Sequence, residues 1–220
     1  MPDSGSMADT RHICEAFGAI CEERRFVRFD DQKNWAVRRA SYDYILSLDA
    51  DEVLSDELIA SIGEVSDRWR CDCYRFRRIN CFCGTWIRHG EWSSDRAIRL
   101  FDRRKAIWQG AVHERVVLRP GCSVGDLKGK LLHYPYDSIA RFYHKSERYA
   151  SMMAEDLYRQ GKHATWFQLH VKPLYRFFCA FVIRRGFLDG YAGYQVARLT
   201  ADRLKLKFVK LRVLWTQHMD

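Results

Sequence analysis

The sequence predicts an α/β fold followed by a basic helical region, and three features of the chain indicate this. The run 44–48 has the composition of a buried strand, and three carboxylates follow it within four positions. Apolar residues alternate with a period of two in residues 70–104, which is typical of short strands. Apolar residues then recur at helical spacing in the ranges 139–160, 164–185 and 191–215.

Charge separates the two parts of the chain. Of the 220 residues, 1–140 hold 22 Lys and Arg and 22 Asp and Glu, whereas 141–220 hold 15 and 6. The net charge of +9 therefore lies in the C-terminal part, as expected of a surface that meets an anionic membrane or a nucleic acid. We place the boundary between a domain of residues 1–137 and a helical, membrane-surface region of residues 138–220.

No apolar leader follows Met1, and the longest apolar stretch near the end, Phe177–Ile183, is far shorter than a spanning helix of about 20 residues. We expect a cytoplasmic protein that is peripheral on the inner face of the cell membrane. Its eight cysteines are then thiols.

Two helices are predicted in the first half from local signals. One covers residues 9–18 and places Ile13, Cys14, Phe17 and Ile20 on its inner side, with Gly18 as its stop. Another begins after Ser55, which is a good N-cap.

The carboxylates that follow the run 44–48 are the first candidate for chemistry. In a continuing strand, side chains alternate between the two faces, so Asp49 and Asp51 would point the same way. Two carboxylates at a strand end form a hard-cation site suited to Mg²⁺ or Mn²⁺. The alternative is a solvated turn with a helix cap after it.

The cysteines offer a second candidate. Four thiolates could hold a tetrahedral zinc ion, and they are Cys71, Cys73, Cys81 and Cys83. However, zinc motifs normally place two or more residues between paired cysteines. Packing of small apolar side chains is the alternative.

A third candidate is Glu114, which follows His113 in a predicted loop and could act as a general base or be a solvated residue. Several arginines lie near Leu100 and could clamp phosphates or form a solvated face. They are Arg96, Arg99, Arg103 and Arg104. His133 and His144 share no ligand-like spacing, and we interpret both as structural.

The chain resembles the family-2 glycosyltransferases of the GT-A fold, and most closely the lipopolysaccharide core glucosyltransferase subgroup. The resemblance rests on short motifs that occur in the family's order along nearly the whole chain. These are DSGSMADT (3–10), QKN (32–34), YILSLDADE (44–52), WIRHG (86–90), RLFDRR (99–104), WQGAVHE (108–114), LKGKLLHY (127–134) and RGFLDG (185–190).

The resemblance implies a Rossmann-like nucleotide-sugar domain and an inverting transfer from a UDP-sugar, UDP-glucose being our first choice, to a lipid-linked glycan. Asp51 would hold Mg²⁺ or Mn²⁺ on the donor diphosphate, with Asp49 beside it. Asp3 would lie near the uridine or ribose and Lys33 near the nucleotide. Glu114 would be the catalytic base. The basic tail would rest on an anionic membrane, and no nucleic acid is expected as a partner.

Members of that family carry a strand and a Lys-Asn-Glu-type turn before the DSGS element, so we expect the first strand to be absent here. A missing strand would leave a sheet edge unpaired and would put activity in question. The competing interpretation is therefore a non-catalytic protein that keeps the fold and the basic tail.

Overall fold

A computed structural model describes residues 2–3, 9–93, 95–110 and 114–217, and of residues 2, 3 and 9 the backbone alone. The strands are β1 Pro2–Asp3, β2 Glu22–Glu23, β3 Tyr44–Leu46, β4 Glu52–Leu54, β5 Cys73–Phe82, β6 Thr85–Ile87, β7 Asp95–Asp102, β8 Ala106–Gln109, β9 Arg115–Leu118 and β10 Val124–Tyr136. The helices are α1 Asp9–Ala16, α2 Phe29–Arg39, α3 Asp56–Ser66, α4 Ile139–Arg159, α5 Trp166–Phe178 and α6 Gly190–Gln217. A π-helical turn, Cys179–Ile183, and two 3₁₀ turns, Gly90–Trp92 and Gly186–Asp189, complete the list.

The fold combines a central β-sheet with α-helices, as predicted for an α/β protein. The strand order of the sheet is β3-β7-β5-β10-β4, with β6 added to β5. Two smaller pairs lie outside it, the parallel pair β1-β2 and the antiparallel pair β8-β9.

The run 44–48 is not the buried strand that its composition predicted. Strand β3 ends at Leu46, and the exposed fractions of Leu46 and Leu48 are 38% and 39%. The physical reason is topological, since among the described strands β3 is terminal in its sheet and pairs with β7 alone. An apolar run of this length cannot by itself distinguish an edge strand from a central one.

Helix ends follow the local signals closely. Ser55 caps α3 by accepting a hydrogen bond from the Leu58 N–H, as predicted. Helix α1 also lies where the sequence placed it, but only part of its predicted inner face is buried. Cys14 is buried as predicted, whereas Ile13, Phe17 and Ile20 are 55%, 85% and 75% exposed.

Gly129, in the motif LKGKLLHY, allows strand β10 to pass very close to the start of α3. Its φ is +89°, and a Cβ built there would lie 2.3 Å from the Leu58 nitrogen. The neighbouring Lys130 accepts a hydrogen bond from the Ser55 N–H at 3.0 Å, and its own N–H donates to the Ser55 Oγ at 2.9 Å. A side chain at position 129 is therefore incompatible with this packing.

The described residues divide into two compact units, each drawing on separate stretches of the chain. The first contains residues 1–50, 54–77 and 96–130, and the second contains 51–53, 78–95 and 131–220. The two units are defined by backbone packing and do not show which fragments fold on their own. The predicted domain boundary after Asp137 therefore stays a prediction.

The second unit contains the C-terminal helices and a core of its own. Strand residues Phe82 and Ile87 pack there with the helical residues Phe142, Val196 and Leu199. A second cluster joins the far ends of the helices and includes Ala154, Leu169, Phe208 and Leu211. Within the part of the chain that the structure describes, no helix combines the length and apolar character needed to cross a membrane.

Two of the sequence motifs meet within the second unit. The Asp189 carboxylate accepts hydrogen bonds from the Arg88 and His89 N–H groups at 2.9 and 2.7 Å and lies 2.8 Å from His89 Nδ1. Close beside them, a Cβ on Gly193 would lie 1.9 Å from the Gly186 carbonyl oxygen. The motifs WIRHG and RGFLDG thus fasten the helices to the loop that follows β6.

Candidate active site

Lys33 is the centre of a charged group in the first unit. Its ammonium nitrogen lies 2.7 Å from Asp49 Oδ1 and 2.9 Å from Glu114 Oε1, so one cation bridges two predicted site residues. The side chains of Lys33 and Glu114 are 17% and 16% exposed. The structure therefore brings three of the predicted site residues together, Lys33, Asp49 and Glu114.

The elements that hold this group are tied to one another by α2. The Asn34 side chain donates to the Trp108 carbonyl at 2.8 Å and accepts from the Trp108 N–H at 3.0 Å. The Gly110 N–H donates to Asp30 Oδ2 at 3.1 Å. Burial alone would raise the pKa of Asp30, but the hydrogen bonds from Arg28 and Gly110 outweigh it and lower that pKa. Helix α2 thus fixes the start of the loop that leads to Glu114.

Arg99 and Trp108 belong to the same group, and the sequence did not single out either of them for this role. Arg99 is buried and lies 2.7 Å from Asp49 Oδ2 through its Nη2. The ring of Trp108 lies beneath both cations, 4.3 Å from Lys33 Nζ and 5.4 Å from the Arg99 guanidinium carbon. Asp49 is therefore shared by two cations that both contact the ring of Trp108.

The other three predicted arginines form ion pairs or hydrogen bonds within the first unit. Arg103 donates to the Ala40 carbonyl at 2.6 Å and lies near Asp43. Arg104 pairs with Asp102, whose pKa is lowered mainly by that hydrogen bond. The exposed Arg96 pairs with Asp126. All three side chains therefore have partners within the protein.

Asp51 lies in a separate group, in the second unit, because β3 ends early and residues 50–51 form a turn. The alternation argument for Asp49 and Asp51 therefore does not apply, and their partners differ. His133 Nε2 lies 3.5 Å from Asp51 Oδ2. Burial would raise the pKa of Asp51, but the hydrogen bond to His133 and the nearby charges of His133 and Lys145 lower it.

The tautomer of His133 follows from its other neighbour. The Asn80 amide nitrogen donates to the Trp92 carbonyl at 2.8 Å, which points the Asn80 Oδ1 toward His133 Nδ1 at 2.6 Å. Nδ1 therefore carries a proton that it donates to Asn80, and Nε2 is the ring nitrogen that faces Asp51. His133, which the sequence spacing led us to interpret as structural, is thus positioned by a second residue in the way that metal-ligating histidines are.

Asp51 and His133 fit a divalent cation. An imidazole nitrogen and a carboxylate oxygen 3.5 Å apart can both reach one ion at ordinary bond lengths. Among residues 9–93, 95–110 and 114–217, no three His, Cys, Asp or Glu side chains form a metal-binding cluster. Mg²⁺ is commonly held by one or two carboxylates and takes its remaining ligands from substrate phosphates and water, so the carboxylate of Asp51 could serve that ion.

The cysteines have unlike environments. Cys73 lies in the apolar core with Phe101 and Trp108, and burial raises its pKa to about 12. Cys81 is buried and Cys83 exposed, and both are free thiols, as is Cys71. Cys73 and Cys81 are therefore packed as small apolar side chains, whereas the exposed Cys83 is not.

Part of the predicted site lies outside the described residues. Of Asp3 the structure describes the backbone, in strand β1, but not the side chain. Most of the DSGS element falls outside as well, and so do residues 111–113, which include His113. The roles of Asp3 and His113 therefore stay predictions.

Comparison with known proteins identifies the family to which this chain belongs. Residues 2–122 match the sequence profile of Glycosyl transferase family 2. An uncharacterized glycosyltransferase of Rickettsia typhi is 30% identical over 223 residues, which cover 96% of this chain and 76% of the relative. Uncharacterized glycosyltransferases of Rickettsia felis and Rickettsia prowazekii are 31% and 28% identical over 96% of this chain, and 78% and 76% of their own lengths are covered. Since the family profile covers more than half of the chain, this protein belongs to the family-2 glycosyltransferases.

Proposed function

We propose that the protein is an inverting hexosyltransferase that moves a sugar, glucose being our first choice, from its UDP conjugate to a lipid-linked glycan of the lipopolysaccharide-core type. Family membership supports the transferase activity. The donor, the acceptor and the metal dependence are proposals that rest on the site.

The observation that carries the proposal is the pairing of Asp51 with His133. Their facing oxygen and nitrogen, with the Nδ1 proton of His133 directed to Asn80, would be the protein ligands of this cation. A divalent cation bound there would neutralise the negative charge that develops on the leaving diphosphate.

Glu114 is the proposed base. Its carboxylate oxygen would take the proton of the acceptor hydroxyl while that oxygen attacks C1 of the sugar. The bond from C1 to the diphosphate oxygen breaks on the opposite face, which inverts the configuration and releases UDP. Lys33 and Arg99 position this group by holding Asp49, and Lys33 also holds Glu114.

Asp51→Ala should abolish Mn²⁺-dependent binding of UDP-glucose while the fold is kept, because its partially exposed side chain contributes little packing. Titration calorimetry with and without EDTA measures this. Asp67→Ala, at an exposed position after α3, is the matched control and should bind like the parent. Unchanged binding by Asp51→Ala would refute the metal assignment, and no donor binding by the parent would favour the non-catalytic alternative.

The C-terminal helices offer a surface for the membrane that a lipid-linked acceptor requires. One side of α5 and the turns after it is apolar and exposed, and we call these residues the apolar ridge. The ridge comprises Leu174, Tyr175, Phe178, Val182, Ile183, Phe187, Leu188 and Tyr191. Exposed apolar side chains in this number mark an interaction surface.

Positively charged side chains lie close together on α5 and α6. Lys172 and Lys207 lie 6.0 and 4.5 Å from the ring of Phe208. Burial lowers the pKa of Lys207, and the charges of Lys172 and Arg176 lower it further. An anionic membrane would relieve this repulsion, since each cation near such a surface contributes about 1 kcal/mol of attraction. We therefore propose peripheral attachment to a cytoplasmic membrane face.

The protein should float with anionic vesicles and less with neutral ones, and high salt should release it because the attraction is screened. Ile183→Asp, in the ridge, should reduce the floating fraction. Ile59→Asp is the control, because Ile59 is similarly exposed, 53% against 60%, but lies on α3. Equal recovery with neutral and anionic vesicles at low and high salt would rule out an electrostatic anchor.

A further inference from the structure

A cavity of about 420 Å³ lies within the second unit, between α5 and α6. The two helices are antiparallel, since Phe177 packs on Tyr194 at 5.8 Å while Leu169 packs with Phe208 and Leu211. This size falls within the range of small-molecule sites. None of its lining residues belongs to the groups around Lys33 or Asp51.

The two ends of the cavity differ in chemistry. Phe177, Tyr194 and Leu174 line one end, and His170 and Lys205 line the other, with Arg198 between them. Leu174 is also a residue of the apolar ridge and is 71% exposed. The apolar end therefore opens beside the surface that we propose meets the membrane.

The polar end carries an excess of positive charge. Its one lining carboxylate, Asp202, accepts a hydrogen bond from the Tyr143 hydroxyl at 3.3 Å and lies 3.8 Å from Arg198 Nε. Within the described parts of the chain, neither Lys205 nor His170 has an acidic partner within ion-pair distance. Lys205 is exposed, so its ammonium can contact a ligand without desolvation of a buried charge.

We propose that this cavity binds a lipid phosphate, with the phosphate between Lys205 and Arg198 and the start of the hydrocarbon chain between Phe177 and Tyr194. The arrangement matches the orientation of a lipid in a bilayer, because the apolar end lies beside the ridge and the cationic end lies farther along the helices. The identification of this lipid with the glycosyl acceptor rests on the proposed function, but binding of the lipid phosphate does not.

The test is calorimetric titration of the full chain, without donor or metal, with three soluble probes. Octyl phosphate carries both chemical features, octyl glucoside carries the chain without the charge, and inorganic phosphate carries the charge without the chain. Octyl phosphate should bind clearly more tightly than either of the others. Lys205→Ala should weaken that binding about tenfold, the effect of losing one charged hydrogen bond. Arg212→Ala removes an exposed cation of α6 that does not line the cavity and should bind like the parent.

Three results would overturn the proposal: equal binding of octyl glucoside, equal binding of inorganic phosphate, or unchanged affinity in Lys205→Ala. Circular dichroism of each variant confirms the fold, and Lys205→Glu repeats the test with reversed charge. Titration of the same preparation with UDP-glucose and Mn²⁺ separates the two proposals. Loss of donor binding counts against the transferase proposal alone, and loss of octyl phosphate binding counts against the cavity alone.

Discussion

Glu114→Gln should lower the turnover of glycosyl transfer by roughly 10²–10⁴-fold, the usual contribution of a positioned general base. Glutamine keeps the shape of the side chain and can still contact Lys33, but it cannot take the acceptor proton. Binding of UDP-glucose should stay within about twofold of the parent, because the change leaves Asp51 and His133 intact. Steady-state transfer assays and donor titration on the same preparation measure both quantities.

The control for this variant is Glu64→Gln, which makes the same change at an exposed position of α3. A Glu114→Gln enzyme that keeps most of its turnover would move the base to another carboxylate. Asp95 and Asp102 are the next candidates by position, but the structure weakens both. Asp102 is buried and accepts hydrogen bonds from Arg104, and Asp95 pairs with Arg78.

Gly129→Ala should lower the free energy of unfolding by about 3 kcal/mol, the combined effect of backbone strain and overpacking. The new Cβ would lie 2.3 Å from the Leu58 nitrogen and 2.7 Å from its Cα. These are backbone atoms at the start of α3, and they cannot move aside as the end of a flexible side chain could. Urea unfolding followed by circular dichroism measures the loss.

Gly121→Ala separates the two causes. Gly121 has nearly the same φ, +82° against +89°, but a Cβ there would meet no atom within 4 Å. It should therefore show the strain of a left-handed residue, about 1–2 kcal/mol, without the collision. If both variants lose equal stability, the contact with Leu58 contributes nothing.

Features that depend on neighbouring residues were predictable from the sequence. Ser55 begins α3 because a serine side chain can satisfy the first free N–H groups of a helix. The repeated apolar spacing after Pro135 gave the three C-terminal helices for a similar reason, since one helix face must be buried. The carboxylates around position 50 were predicted to be functional because strands of α/β folds carry functional residues at their carboxyl ends.

Features that depend on distant residues were not predictable in this way. The edge position of β3 is fixed by its pairing with β7, and spacing within residues 44–48 does not encode that partner. The contact of Arg99 with Asp49 joins residues 50 positions apart, and Asn34 reaches Trp108 across 74 positions. The role of His133 depends on its contact with Asn80, 53 positions away, and the sequence alone does not show that contact. Asn34 of the motif QKN and Trp108 of the motif WQGAVHE are far apart in the sequence, but each donates a hydrogen bond to the other in the folded chain.

The mixed core of the second unit has a consequence for how this protein can be divided. Phe82 precedes the end of the family-2 match at residue 122, yet it packs against Phe142, Val196 and Leu199 beyond it. Removing the C-terminal helices would uncover Phe82 and Ile87, and the exposed apolar strand would favour aggregation. Residues 2–122, which match the family, therefore cannot be transferred alone to another protein. Replacing them with the corresponding residues of a relative, in order to change the donor specificity, requires exchange of the C-terminal helices as well.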